Sequence, residues 1–379
     1  MFSNHIVRKT THILVSIGVI ILSHFLGKYE MALLCLAFVF INALIDYKDF
    51  GIITFPLVVL ISTLLYYEDK NTYFLVLFPM FFSDPFAFIF GKIIDKFKFY
   101  DKTLIGSFVF FIFTFLFSVY FSKNFLFSIT FAFFLTLIEL ISEKRLDNFF
   151  IVIFAIILVN VKIELFLSAM FFALIISFVS ILFNWLDTKG AIGTFIIGSI
   201  ILYSGGFKWV IPLVLFLVFG SLISKLNDKR TKRNLYQVLA NGGISFVLSV
   251  MNIFYPNEIF YFAHLCVISA MNSDTFSSEI GMKFSKNAYL ITNFKEVEKG
   301  TSGGVSFIGF IAGILGSFLI SIFYQKWFYV FIVGIIGNLI DSLIGATIER
   351  KGFISNNLTN FLSSLLSCII GILIYFKIS

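Results

Sequence analysis

Charge is scarce in this chain. Asp, Glu, Lys and Arg make up 13% of its 379 residues, while apolar residues make up 59%. Soluble domains carry about 25% charged residues, so the balance excludes a water-soluble globular protein and describes an integral membrane one. Cysteine is nearly absent: Cys35, Cys266 and Cys368 each stand alone in apolar stretches, as small buried hydrophobes and not a disulfide framework. The four histidines (His5, His12, His24 and His264) show no ligand spacing. No C-x-x-C, H-E-x-x-H or G-x-x-x-x-G-K-[ST] occurs, which removes zinc chemistry and P-loop nucleotide binding from consideration. The first apolar segment lacks a small-residue cleavage site and reads as a retained helix.

What is present is a series of apolar segments. A helix of about 20 such residues crosses the hydrocarbon core, and shorter ones do so with local thinning. Spans are expected near 11–27, 31–46, 51–67, 72–91, 104–121, 125–142, 148–160, 164–183, 190–204, 208–224, 241–255, 259–272, 303–324, 328–347 and 357–377. The expected fold is therefore all-α, a polytopic membrane helix bundle of about 15 transmembrane helices in two tandem, distantly similar halves. Alternate loops are lysine-rich, among them those carrying Arg8, Lys92 to Lys102, Lys144, Lys225 to Arg233 and Lys283 to Lys299. The intervening loops carry at most one Lys each, so the basic set is expected in the cytoplasm, with the N-terminus. The net charge of +7 then follows from topology and anionic lipid, and no nucleic-acid partner is implied.

Two polar signatures interrupt the apolar background. Ser83-Asp84-Pro85-Phe86 and Ser273-Asp274-Thr275-Phe276 both read S-D-x-F, and both reach a glycine seven residues after the acid, Gly91 and Gly281. Lys92 and Lys283 lie just beyond. A Lys/Thr/Gly/Ser element follows each: Lys102-Thr103-Leu104-Ile105-Gly106-Ser107, then Lys299-Gly300-Thr301-Ser302-Gly303-Gly304. Each half then offers Leu-Ile-acid inside a span (Glu139, Asp341), an acid with Arg at the span's end, and an Asn opening the next one. Basic clusters precede both signatures, Arg8-Lys9-x-x-His12 and Lys229 to Arg233, the latter leading to Asn241. The repeated order divides the chain into 1–162 and 163–379.

Acids at mid-bilayer cost about 2.5–3.5 kcal/mol each on insertion scales, so they face a bundle interior and have a role. A single one serves equally as a polar brace between helices. Four in two matched sets, Asp84, Glu139, Asp274 and Asp341, favour catalysis. Carboxylates, lysines and Gly/Ser/Thr backbones together suit phosphate chemistry. Mg2+ takes one or two carboxylates plus substrate phosphates, and phosphoryl transfer asks mainly for positioning and charge neutralisation. Asp84, Asp274 and Glu279 are the candidate Mg2+ ligands. Arg8, Lys9, Lys92, Lys102, Thr103, Gly106, Ser107, Arg233, Lys299 and Gly300-Thr301-Ser302-Gly303-Gly304 are the candidate nucleotide and phosphate ligands. The glycine-rich run is expected to lead into a helix near Val305, with its amides at the positive helix end. His12, Asp147, Asn148, Asn241, Ser273, Glu279 and Asn338 complete the polar set. The apolar walls suit a greasy acceptor whose polar end reaches the interface.

Two resemblances are carried by these strings. The first half, through Arg8-Lys9-x-x-His12, Ser83-Asp84-x-x-Ala87-x-x-x-Gly91-Lys92, Lys102-Thr103-x-x-Gly106-Ser107, Glu139 and Asp147-Asn148, resembles the dolichol and phytol kinases. That group phosphorylates polyprenols with CTP and is similar in turn to phosphatidate cytidylyltransferase. The second half resembles the transmembrane protein 19-like family, which includes plant phytyl-phosphate kinase. It does so through Gln237 to Gly243, Asn272 to Gly281, Gly300 to Ser306 and Asp341-Ser342-x-x-Gly345-Ala346-Thr347. The resemblances imply a membrane fusion of two kinases. It would take an isoprenoid alcohol to its monophosphate and then to its diphosphate, with CTP or another nucleotide triphosphate as donor and Mg2+ as cofactor. CDP-lipid synthesis and lipid transport between tandem repeats remain open alternatives at this stage.

Overall fold

The chain is described as a computed structural model over residues 2–45, 50–93, 98–99, 102–143, 146–227 and 232–378, with the side chains of 2–8 and of 50 set aside. Arg8 therefore enters only as backbone. The chain forms two compact units, Met1–Glu164 and Leu165–Ser379.

The first unit is built from α1 (Phe2–Phe25), α2 (Lys28–Ile45), α3 (Phe50–Tyr66), α4 (Lys70–Phe78), α5 (Asp84–Ile93), α6 (Leu104–Ser122), α7 (Phe125–Ile141) and α8 (Asp147–Val159). The short strands β1 (Lys98–Phe99) and β2 (Lys102–Thr103) pair antiparallel between α5 and α6. Its core lies along α4 and the turn after it, where Tyr73, Val76, Leu77, Met80 and Phe81 are inaccessible to solvent. The single span expected over 72–91 is α4 and α5 joined by a π-helical turn, Pro79–Ser83, in which the Asp84 amide donates to the Pro79 carbonyl. Pro85 has no N–H to continue the α pattern, and its ring would crowd the carbonyl four residues back. The wider turn accommodates it, and such turns recur at functional sites.

The second unit comprises α9 (Ile163–Leu182), which starts at the junction, then α10 (Thr188–Ser224), α11 (Leu235–Phe254), α12 (Glu258–Phe284), α13 (Phe307–Ser321), α14 (Trp327–Ile344) and α15 (Asn356–Ile378). The spans expected over 190–204 and 208–224 are the two arms of α10, broken at Gly206, whose φ of 62° only glycine adopts without strain. A three-stranded sheet lies between α12 and α13. In it β3 (Ala288–Leu290) pairs antiparallel with both β4 (Glu296–Val297) and β5 (Gly304–Val305). Helix α12 is central: Tyr261 to Ser273 is buried without interruption, against α10, α11, α13, α14 and α15.

Helices thus stand where the apolar segments lie. Among the described residues, eight helices are long and apolar enough to cross a membrane, and five more apolar ones run 10–17 residues. The chain is an all-α integral membrane protein.

Both units share one local construction. In unit 1, Thr103 caps α6 by accepting the Gly106 amide at 3.1 Å. A Cβ at Gly106 would lie 2.9 Å from the Ala87 carbonyl, and one at Gly91 would lie 3.2 Å from Gly106 Cα. In unit 2, Ser306 caps α13 by accepting the Gly309 amide at 3.1 Å. A Cβ at Gly309 would lie 2.6 Å from the Ser277 carbonyl, and one at Gly281 would lie 3.2 Å from Gly309 Cα. Glycine at each crossing lets the signature helix and its successor touch backbone to backbone. The counterpart of Thr103-x-x-Gly106 is thus Ser306-x-x-Gly309, and not the 299–304 element aligned from sequence. Helix α13 begins only after β5, so the glycine-rich run forms a loop and strand before the helix instead of its first turn. Gly300 and Gly303, at φ 85° and 74°, turn that loop.

Candidate functional site

The first unit gathers five charged side chains inside its bundle. Lys9 of α1 donates to Asp84, where the π turn meets α5. Lys102 of β2 donates to Glu139 Oε1 of α7 at 2.6 Å and sits 3.6 Å from Asp147 Oδ2 at the start of α8. Ser107 donates to Glu139 Oε2 at 3.3 Å, and His12 donates through Nε2 to the Met80 carbonyl at 3.1 Å. Lys9, Asp84, Glu139, Asp147 and Asn148 are all buried. Burial works against the Lys102 ammonium, yet Glu139 and Asp147 hold its pKa above the ordinary lysine value. Two lysines face three carboxylates, which leaves one acid in excess. The Asn148 side-chain oxygen has no partner among the described residues. Lys92 is exposed, with its ammonium 4.4 Å from the centre of the Phe88 ring, which Lys9 also approaches, at 5.6 Å. Thr103 and Gly106 are engaged in the helix cap and crossing.

The second unit holds a polar cavity of about 400 Å³. Asp274 and Glu279 of α12, Asp341 of α14 and Glu349 face it, together with Lys225, Arg233 and Lys299. Gly300 to Gly304, Gln237 and Asn241 complete much of the wall. Local structure explains each placement. A π-helical turn, Gly345–Glu349, closes α14 and swings Glu349 to the cavity. Ser302 and Thr359 then donate to its two oxygens at 2.7 and 2.6 Å. Glu279 accepts from Ser224 at 3.0 Å and from Asn227 at 2.6 Å, and Asp341 accepts from Ser363 at 3.0 Å. Asn234 and Gln237 form a capping box that fixes the first turn of α11 against the cavity.

Two groups in this wall are unspent. Among the described residues the Asp274 side chain has no hydrogen bond or ion pair, and the Ser221 hydroxyl, buried in the same wall, has no partner. Arg233 stacks over Phe216, 5.4 Å from the ring centre. Burial draws its guanidinium below the ordinary value, partly offset by Glu279, but it stays a cation at neutral pH. Lys299 donates to the Ser285 carbonyl at 3.1 Å.

The structure therefore brings together Arg233, Asn241, Asp274, Glu279, Lys299 to Gly304 and Asp341. It leaves Ser273 and Asn338 outside the cavity. Ser273 donates to the Gly313 carbonyl at 2.8 Å, and Asn338 packs against Gly313, so both brace α12, α13 and α14. Glu349, Gln237, Lys225 and Ser221 were not among the expected site residues. For Glu349 the signal was available as the acid beside Arg350 at a span end.

Four carboxylates and three cations face the cavity, so an anionic substrate needs further positive charge to enter. Hard oxygen donors with Asp274 uncommitted fit Mg2+, which takes few protein carboxylates and completes its shell from phosphate and water. Among the described residues no group of three or more His, Cys, Asp or Glu side chains forms a ready-made metal cage.

Sequence comparison relates about half of the chain to known proteins. The chain is 42% identical over 205 residues to an uncharacterized membrane protein of Methanocaldococcus jannaschii, covering 50% of this chain and 86% of that one. It is similar to Protein PGR of Arabidopsis thaliana, at 28% over 214 residues, 45% of this chain and 74% of that protein. Protein VTE6, chloroplastic, of the same plant is 26% identical over 220 residues, 51% of this chain and 66% of that protein. No solved structure matches significantly. A family model described as Integral membrane protein DUF92 matches residues 171–368, wholly within unit 2, and the chain belongs to that family.

Proposed function

We propose that this protein is a membrane phosphotransferase of isoprenoid salvage, with unit 2 phosphorylating a prenyl monophosphate and unit 1 phosphorylating a prenol. The observation that carries the reading is the polar cavity of unit 2. It joins Asp274, Asp341, Arg233, Lys299 and the 300–304 loop within an apolar bundle. The relation to Protein VTE6 and the resemblance to phytyl-phosphate kinase support the same substrate class.

In unit 2 an oxygen of the prenyl phosphate attacks the γ-phosphorus of a nucleotide triphosphate such as CTP. The bond from that phosphorus to the β–γ bridging oxygen breaks, and the nucleoside diphosphate leaves with its electron pair. The attacking phosphate is already ionised, so no base is required. Arg233, Lys299 and the 300–304 amides bind and orient the phosphates, and burial excludes water. Asp274, Asp341 and Glu279 would hold Mg2+, which neutralises phosphate charge when bound.

In unit 1 the acceptor is an alcohol, which must lose a proton as the new P–O bond forms. The acid in excess over the two lysines serves there, and Asp147, the more distant of the Lys102 partners at 3.6 Å, is the acceptor we assign. Lys9 and Lys102 supply the phosphate charge. The fifteen-span topology with a cytoplasmic N-terminus, and both sites on the cytoplasmic face, belongs to this reading and is supported by the lysine asymmetry of the loops.

The test uses purified protein, Mg2+, γ-phosphate-labelled CTP and either geranylgeraniol or its monophosphate, with chromatography of the lipid phase. The reading expects label in mono- and diphosphate. Release of pyrophosphate with a CDP-lipid product, or no lipid label with any nucleotide, overturns it.

A further inference from the structure

An apolar groove of about 100 Å³ adjoins the polar cavity of unit 2. The two share three wall residues, Arg233, Gln237 and Asn241. Beyond them the groove runs between α9, α10 and α11, and its wall is otherwise apolar apart from Thr194. Small residues notch this wall. Ala173, Gly198 and Gly242 alternate with Ile197, Ile201 and Leu213. A polar chamber that opens through one arginine into a greasy, notched slot is the shape of an amphiphile with an anionic head.

We propose that this groove binds the phosphate-proximal isoprene unit of the acceptor, and that Gly198 and Gly242 determine its preference for a branched chain. The inference rests on the reading of unit 2 as a prenyl-phosphate kinase. Three observations carry it. Arg233 stands at the junction, with its guanidinium over the Phe216 face, so a phosphate held there has its first carbons at the groove mouth. The enclosed volume is less than the roughly 150 Å³ of a dry apolar cavity that takes up benzene, so it holds about one five-carbon unit. The rest of the chain would leave along α9, whose Leu174, Ile175 and Phe178 are exposed. Finally, the glycine positions make room where methyl branches project. A Cβ at Gly198 would meet only Ala173 Cβ at 3.5 Å, and one at Gly242 only Ile197 Cγ2 at 3.9 Å. Larger side chains there extend into the groove instead of into backbone. Both sites lie in helix interiors, where replacing glycine also favours the helix.

The assignment separates two properties of the enzyme. Acceptor specificity resides in the first isoprene unit, and chain length beyond it matters little, because only lipid receives the remainder. Geranyl, farnesyl and geranylgeranyl monophosphates are thus expected to be used comparably.

The test uses the full chain in lipid nanodiscs, with labelled CTP as donor. KM is measured for geranyl monophosphate, n-decyl monophosphate and CTP in wild type, Gly198→Leu and Gly242→Leu. The proposal expects KM for geranyl monophosphate to rise about tenfold or more in the variants, the scale on which a filled hydrophobic pocket discriminates, with KM for CTP unchanged. It also expects geranyl monophosphate carrying a diazirine in its first isoprene unit to label peptides from α9, α10 or α11. That labelling does not depend on the variants folding. Unchanged geranyl KM in folded variants, or labelling elsewhere, overturns the groove and leaves the kinase reading standing. Equal use of n-decyl monophosphate overturns the isoprene preference and assigns the groove to straight acyl chains. Transfer of label to no prenyl phosphate, with none captured by the photoprobe, overturns the groove and the kinase reading together.

Discussion

The backbone crossing between α12 and α13 makes a quantitative prediction. In Gly309→Ala the new methyl would stand 2.6 Å from the Ser277 carbonyl, 2.8 Å from Ser306 Oγ and 3.2 Å from Gly281 Cα. Carbon–oxygen contacts settle near 3.3 Å or beyond, so the two helices must part by roughly 0.7 Å. Overpacking of this kind costs about 1–3 kcal/mol. Removing a helical glycine returns up to about 1 kcal/mol, so a net loss of up to about 2 kcal/mol is expected, and a larger one relative to a control that gains the same return. Gly243→Ala is the control, because its methyl would meet only Phe361 Cε2 at 3.6 Å, an ordinary contact. All three tryptophans, Trp185, Trp209 and Trp327, lie in unit 2. Intrinsic fluorescence in a detergent melt therefore reports that unit alone. For a unit of this size the loss lowers Tm by about 2–4 °C per kcal/mol. Asp274 sits one turn before Ser277, so the same displacement should reduce turnover by up to about 100-fold. If Gly309→Ala melts at or above the Gly243→Ala temperature, the close crossing and the shared construction of the two units are wrong.

Other perturbations follow from the same geometry. Lys102→Met leaves the buried Glu139 and Asp147 without their shared cation, and should destabilise unit 1 by about 3–5 kcal/mol in a circular-dichroism melt. The Lys102 pKa is raised in the folded state. Its ionic contribution is therefore complete below the unfolded lysine value and lost only as pH rises through the higher folded one. The wild-type margin over Lys102→Met should thus stay constant between about pH 7.5 and 9.5. Gly303→Ala forces a side chain into a positive-φ turn, where its Cβ would stand 2.3 Å from the Ala346 nitrogen. It should cost about 2 kcal/mol or more and raise KM for nucleotide, measured in the transfer assay. Glu349→Ala removes the carboxylate that accepts from Ser302 and Thr359, and should raise KM for nucleotide while costing unit 2 no more than about 1–3 kcal/mol in the fluorescence melt.

Much of this architecture could be read from residues because polar groups are conspicuous in an apolar background. Asp84 and Asp274 in matched S-D-x-F strings gave away the signature helices, and the loops carrying Lys102 and Lys299 were evident from charge. The third matched element was read wrongly for a physical reason. Unit 2 carries a three-stranded insertion between its signature helix and α13, so the true counterpart of Thr103-x-x-Gly106 lies beyond the more noticeable Gly300–Gly304 run. Ser306 and Gly309 sit among Phe and Ile and look like ordinary span residues. The π turns that present Asp84 and Glu349 leave little trace in composition, although Pro79 and Pro85 bracket the first. Hydropathy separated the two arms of α10, which the structure breaks at Gly206, but a glycine break and a loop look alike at that level. The apolar groove was invisible in sequence, since it is assembled from α9, α10 and α11 out of residues typical of any core.

The account stands most directly on one product analysis. The Asp274→Asn variant, given geranylgeraniol, Mg2+ and labelled CTP, is predicted to accumulate labelled geranylgeranyl monophosphate while wild type carries the label on to the diphosphate. Diphosphate made at the wild-type rate by Asp274→Asn, or simultaneous loss of both products in a variant whose fluorescence melt is unchanged, would contradict two sequential transfers by two units.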